Sequence, residues 1–256
     1  MEWQENSGNW VLIPSRPKAI VHFLGGAFVG TAPNVTYRWL LEMLANQGYA
    51  VIATPFVNTL DHLEMAKNVF SSFESCLNLI YAQRVLRKKS LPIYGIGHSM
   101  GCKLHLLIGS LFSVERAGNI LISFNNSAAR DAIPLVEQIS PVMKVEFTPS
   151  PQITNRLIQK RYQIRRNLLI KFNDDNIDQT LRLSDLLRLR FPDMVTVKRL
   201  NGNHLTPLGQ DISWPVGKVY TPIDAIAQWV KQGVYQDLNQ LKYEILLWLN
   251  PLAQIS

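Results

Sequence analysis

Short apolar runs alternate with helix-spaced apolar residues along most of this chain. WVLIP (residues 10–14) and KAIVHFLGG (18–26) are compact β-rich runs, and such runs predict strands. Tyr37, Leu40, Leu41 and Leu44 then recur at i, i+3, i+4 and i+7. That spacing is one face of a helix, and Gly48 ends it. YAVIATPF (49–56) predicts the next strand. From Asp61 a helical pattern runs through Leu63, Ala66, Phe70, Phe73, Leu77 and Ile80 toward Arg87, Lys88 and Lys89. The charge of that end suits the negative pole of a helix dipole. LPIYGIG (91–97) reads as strand, Met100 to Phe112 as helix, and NILISFNN (119–126) as strand.

The rhythm breaks between Ser127 and Asn167, where two Pro-marked turns, SPVM and TPSPQ, surround helix-like pieces. It resumes with NLLIKF (167–172) as strand, DQTLRLSDLLRLRF (178–191) as helix and MVTVKRL (194–200) as strand. A final helical pattern extends from about Pro222 to Leu249. Near-continuous apolar strands between helices predict an α/β fold, a mostly parallel central sheet with helices on both faces. The break at about 127–167 predicts a helical cap inserted before the strand NLLIKF. With 256 residues, 47% of them apolar, the chain can bury a large core. One domain carrying that cap is therefore expected.

The strand LPIYGIG runs into GHSMG (97–101) and directly into the next helix. Two glycines flanking Ser99 remove Cβ atoms where strand and helix must approach closely. The turn lifts one side chain, here a hydroxyl, out of the backbone. This is the pattern of a nucleophile elbow. A serine nucleophile needs a base, and the base needs an orienting acid. In an elbow of this kind, acid and base follow later strands in the order Ser, Asp or Glu, His. After NLLIKF come Asp174, Asp175 and Asp178. Asp175, followed by a variable residue and Ile177, is the preferred acid. Asp174 is the alternative, and Asp178 reads as the cap of the following helix. After MVTVKRL, His204 stands in the loop LNGNHLTPLG and is the candidate base. His22 and His105 read as packed, and His62 as a helix-start residue that caps or faces solvent. His98 fills the variable elbow position and, with Phe28, is a candidate substrate contact. An oxyanion needs two fixed N–H donors. Met100, following the nucleophile at a helix N-terminus, supplies one. The turn in HFLGGAFVG supplies the other, from Ala27 with Gly26 or Phe28 as alternatives.

HFLGGAFVG, YRWLLEMLA, GIGHSMGCKLH, FTPSP and LLIKFNDDNIDQT give the chain a resemblance to the α/β-hydrolase superfamily over nearly its whole length. More narrowly, it resembles a family of cyanobacterial and plant-chloroplast hydrolase-like proteins. The resemblance implies the α/β-hydrolase fold, the Ser-Asp-His triad, no cofactor, and a cytoplasmic or plastid-stromal setting. It implies no particular substrate.

The net charge of +7 changes this picture little. Much of it sits in RVLRKKS (84–90) and LIQKRYQIRRN (157–167). No helix-turn-helix, zinc finger or aromatic-rich RNA motif accompanies it, so nucleic acid is not an expected partner. An anionic membrane surface or substrate is compatible, with Lys160, Arg161, Arg165 and Arg166 at the rim of the cap. The cap residues Val136, Ile139, Val142, Val145, Phe147, Ile153, Leu157, Ile158 and Tyr162 either line an acyl pocket or dock the cap on the body. The start MEWQENSGNW lacks the basic and apolar regions of a secretory signal. No apolar run nears the roughly 20 residues of a membrane span. Cys76 and Cys102 read as buried free thiols, and no Cys/His spacing marks a zinc site. Two readings follow. One is a serine hydrolase acting on a small-molecule or lipid-like ester or thioester. The other is a non-catalytic relative serving as a binding or scaffold protein, which a degenerate triad would mark. A membrane-peripheral role for LKYEILLWLNPL (241–252) competes with its packing as a terminal helix.

Overall fold

The computed structural model describes residues 1–86, 90–127, 146–209 and 234–250. Eight strands form one sheet: β1 (Gln4–Asn6), β2 (Asn9–Leu12), β3 (Ala19–Leu24), β4 (Tyr49–Ala53), β5 (Ile93–His98), β6 (Gly118–Ile122), β7 (Asn167–Phe172) and β8 (Val195–Leu200). Their order is β1-β2-β4-β3-β5-β6-β7-β8. From β4 to β8 every pairing is parallel, while β2 runs antiparallel to both β1 and β4. The mostly parallel sheet is as expected. β1 escapes the apolar pattern because it is polar and exposed. Its signal was the two-residue turn Ser7-Gly8, both at positive φ (49° and 72°), the geometry that closes a tight hairpin.

The described helices are α1 (Pro33–Thr36), α2 (Arg38–Asn46), α3 (His62–Ala82), α4 (Met100–Leu111), α5 (Pro151–Arg161), α6 (Thr180–Arg188) and α7 (Val234–Leu249). Strand side chains alternate between two apolar layers. Val21, Val51, Ile120 and Leu168 pack with α2 and α7 on one face. Ile20, Ile52, Leu121 and Leu169 pack with α3, α4, α5 and α6 on the other. β3, β4 and β6 are buried throughout, which is why they read as continuous apolar runs rather than alternating ones.

Two expected boundaries move. α3 ends at Ala82, and Arg84 turns the chain at φ 58°. The helix therefore stops short of Arg87–Lys89, which lie outside the described residues, as do residues 222–233 of the pattern expected to form the C-terminal helix. The segment expected to form a cap divides. Residues 128–145, with Val136, Ile139, Val142 and Val145, lie outside the described residues. The described remainder is α5, which packs on α4: Ile158 and Tyr162 join Cys102 and Leu106 in one buried cluster. The Tyr162 hydroxyl donates to Asn167 Oδ1 at 2.7 Å and accepts from Asn119 Nδ2 at 2.8 Å. These two residues dock α5 on the body. Ile153 is exposed, and Phe147 reaches the cavity described below.

α5 also settles the place of the basic cluster. Lys160, Arg161, Arg165 and Arg166 immediately precede β7, so they lie at the N-terminal edge of the parallel strands. Arg166 stacks on the Trp248 ring at 3.8 Å and donates to the Trp248 carbonyl. The expected rim position is overturned, because a helix leading into a parallel strand runs away from that strand's C-terminal end.

Candidate active site

Parallel strands place their C-terminal ends on one edge, and the loops leaving them converge there. Gly25 to Phe28 follow β3, Ser99 follows β5, Asn125 to Ser127 follow β6, Asp175 follows β7 and His204 follows β8. The structure thus gathers residues that are more than a hundred positions apart in sequence.

Ser99 sits at φ 52°, ψ −113°, a conformation that costs an L-residue about 1–3 kcal/mol. Its neighbours permit no alternative. A Cβ on Gly97 would lie 2.6 Å from Cys102 N, and one on Gly101 would lie 2.0 Å from the Leu24 carbonyl oxygen. Both glycines are required by close backbone approach. The Ser99 N–H is tied to the Ile122 carbonyl at 2.9 Å.

His204 Nε2 stands 3.0 Å from Ser99 Oγ, and its Nδ1 stands 2.8 Å from Asp175 Oδ2. The carboxylate accepts, so Nδ1 carries the proton and the Nε2 lone pair faces the hydroxyl. Asp175 is buried. Burial would raise its pKa, but the hydrogen bond and charge of His204 outweigh this and hold it below the usual carboxylate range. The Ile177 N–H also donates to Asp175 Oδ1 at 3.2 Å. Asp174, one residue earlier, is exposed; its N–H donates to the Gly202 carbonyl. Asp178 accepts from the Thr180 N–H at 2.9 Å and the Thr180 hydroxyl at 2.7 Å, but it stands one residue ahead of the α6 N-cap, which is Gln179 rather than the expected Asp178. Burial raises its pKa.

Of the four N–H groups considered for an oxyanion, Gly26 drops out. It donates to Tyr37 Oη at 2.7 Å. The Met100 N–H opens α4, where the first N–H groups have no intrahelical acceptor. The Ala27 N–H follows Gly26 on the same loop. Phe28 holds φ 64° and is half exposed at the mouth of the cavity.

His98 also departs from expectation. Its ring is buried, with Nδ1 2.7 Å from Tyr37 Oη and Nε2 2.8 Å from the His204 carbonyl. A carbonyl only accepts, so Nε2 carries the proton and Tyr37 donates to Nδ1. Gly26 therefore donates to Tyr37, Tyr37 to His98, and His98 to the backbone of the base loop. Burial, then the neighbouring His204, push the His98 imidazole down to about 3, so it stays neutral. Both nitrogens are committed, so His98 ties the loops together, and its ring also borders the cavity in front of Ser99. Sequence reading placed Tyr37 on a helix face and missed this bridge. The available signal was a tyrosine on a buried face, whose hydroxyl needs a partner.

The cavity in front of Ser99 measures about 290 Å³. Phe28, Val29, Met100, Phe147, Ile177 and Leu205 give it an apolar wall. His62, Lys103, Asn58 and Asn126 give it a polar one. His62 neither caps α3 nor faces solvent. Asp61 caps, accepting from Leu63 N and Glu64 N at 3.0 and 2.9 Å. His62 is buried against the Phe147 ring at 4.3 Å. Among the described residues, no group of three or more His, Cys, Asp or Glu is placed to hold a metal. Cys76 and Cys102 are buried free thiols. Among the described residues, no helix is long and apolar enough to cross a membrane.

The sheet order, the strained elbow after β5 and the loops converging beside it define an α/β-hydrolase fold. Solved structures agree. A soluble variant of monoglyceride lipase from Saccharomyces cerevisiae matches at TM-score 0.63 and 15% identity, covering 99% of this chain and 96% of that one. The fluorophosphonate-binding serine hydrolase FphF from Staphylococcus aureus matches at TM-score 0.59 and 15% identity, covering 94% and 92%. The esterase Pf2001 of Pyrococcus furiosus matches at 0.56 and 14%, covering 95% and 86%. At such identities the likeness is one of fold. No curated protein matches the sequence. The chain belongs to the family described as protein of unknown function (DUF1350), whose model matches residues 2–251.

Proposed function

We propose that this protein is a serine hydrolase of carboxylic esters or thioesters that works through an acyl-enzyme. One observation carries the reading: the unbroken chain from Asp175 through His204 to Ser99, with contacts of 2.8 and 3.0 Å. A degenerate triad would favour a scaffold, whereas Ser99, His204 and Asp175 are all present and within hydrogen-bond reach of one another. Ser99 Oγ attacks the carbonyl carbon as its proton passes to His204 Nε2. The developing oxyanion lies toward the Met100 and Ala27 N–H groups, where fixed donors stabilise charge that forms only in the transition state. His204 then gives its proton to the departing alkoxide or thiolate. Water, deprotonated by the same nitrogen, releases the acid and restores Ser99. Asp175 holds the Nδ1–H tautomer and the imidazolium. The hydrolase names of the structural neighbours, lipase and esterase among them, point the same way. The cavity, about 290 Å³, lies at the small end of ligand sites and suits a compact ester.

The test is active-site labelling. A fluorophosphonate is expected to label the wild type and spare Ser99→Ala. Labelling that persists in Ser99→Ala at the wild-type rate would remove Ser99 as the nucleophile. A wild type inert to both the probe and p-nitrophenyl esters would overturn the hydrolase reading.

A further inference from the structure

α4 is apolar on every side, as a central helix should be, except at Lys103, His105 and Ser110, whose hydroxyl donates to the Leu106 carbonyl at 2.7 Å. His105 donates Nε2–H to the Ile96 carbonyl at 3.2 Å. Lys103 has no such outlet. It is 1% exposed, and its Nζ meets no hydrogen-bond partner. It lines the cavity in front of Ser99, one helical turn beyond that residue. The Phe147 ring, 5.4 Å from Nζ, offers a weak cation–π contact and no acceptor. Glu146 adds a favourable field but is exposed and closes no hydrogen bond to Nζ. His62 lies on the same wall, fully buried, its ring beside the Thr59 backbone and in the field of Lys103. Buried ammonium groups are ordinarily paired. Here a buried ammonium faces a ligand cavity with no hydrogen-bond acceptor of its own.

We propose that the cavity holds a carboxylate subsite, with Lys103 as the counter-ion beside the His62 ring, so that the hydrolysed ester carries a negative charge of its own. This rests on the hydrolase reading and narrows its substrate class. One ammonium beside a neutral imidazole offers one positive charge. That matches a monoanionic carboxylate better than a phosphate dianion. The apolar wall opposite takes the carbon chain between the carboxylate and the ester carbonyl.

Two readouts on the full chain test this. The first is equilibrium binding, followed by thermal melting with glutarate and with its neutral counterpart glutaramide. Glutarate is expected to raise the Tm of the wild type and not that of Lys103→Met, and glutaramide to raise neither. The second is selectivity between 4-nitrophenyl hemiglutarate and 4-nitrophenyl valerate. The ratio of their kcat/KM values is expected to fall ~30-fold in Lys103→Met, the scale of one charge-assisted hydrogen bond. An unchanged ratio, or equal stabilisation of both proteins by glutarate, overturns the subsite. Fluorophosphonate labelling at Ser99 reports separately on the reaction. Lys103-dependent glutarate binding without labelling would keep the subsite and sink the hydrolase reading. Labelling without Lys103-dependent binding or selectivity would do the reverse.

Discussion

Lys103→Met should make this protein more stable. The substitution keeps the length of the buried stem and removes a charge whose N–H groups meet no acceptor. Burial pushes the Lys103 ammonium from 10.5 down to about 8, even with Glu146 favouring the charged form. A depression of that size corresponds to about 3 kcal/mol of stability forfeited at neutral pH. For a chain of this length, about 2–4 °C accompanies each kcal/mol, so Tm should rise by roughly 6–12 °C. The pH dependence fixes the cause. Below pH 8 lysine is protonated in both folded and unfolded chains, and the whole cost is present. As pH climbs from 8 toward 10.5, the folded protein loses the proton while the unfolded chain keeps it, and the cost fades. The gap between variant and wild type should therefore be widest at neutral pH and close by about pH 10.5. Denaturant melts at pH 7, 9 and 10.5 measure this directly. A variant no more stable than the wild type at pH 7, or a gap that stays flat to pH 10.5, would refute the reasoning. The expected result is the signature of a group kept for binding at the expense of stability.

The acid assignment predicts that Asp175→Asn lowers kcat about 10⁴-fold, because the amide holds the wrong imidazole tautomer. Asp174→Asn, on an exposed side chain, should change kcat little; steady-state kinetics on one neutral ester decide the order, and a reversal would reassign the acid. Tyr37→Phe leaves the Gly26 N–H without an acceptor and His98 Nδ1 without a donor in a buried site. At ~1–3 kcal/mol for an orphaned group, urea melts should show a loss of roughly 2–4 kcal/mol together with a lower kcat, and a loss below about 0.5 kcal/mol would remove the bridge from the argument.

What the sequence determined by itself is whatever depends on neighbours along the chain. Apolar runs such as AIVHFL and NLLIKF specified buried parallel strands, because a strand covered on both faces needs no polar alternation. Gly97 and Gly101 specified the elbow, because only glycine fits backbone that close. His204 could be singled out because it stands in a Gly/Asn-rich turn straight after a strand. The tertiary structure decided whatever depends on direction and distant pairing. The residues that follow favoured Asp175 over Asp174, but only the folded turn sends the first to His204 and the second to solvent. Gly26 and Ala27 look equivalent as donors until Tyr37, eleven residues on, takes one of them. His98 reads as a variable elbow residue until its ring bridges Tyr37 and the His204 loop. The basic residues at and beyond the end of α5 read as a rim until the parallel sheet places them at its far edge. Lys103 reads as an ordinary helix lysine, because no local pattern reports that every side of α4 is covered. Each of these turns on which groups meet across the fold, and hydrogen bonds and charges act only through that meeting.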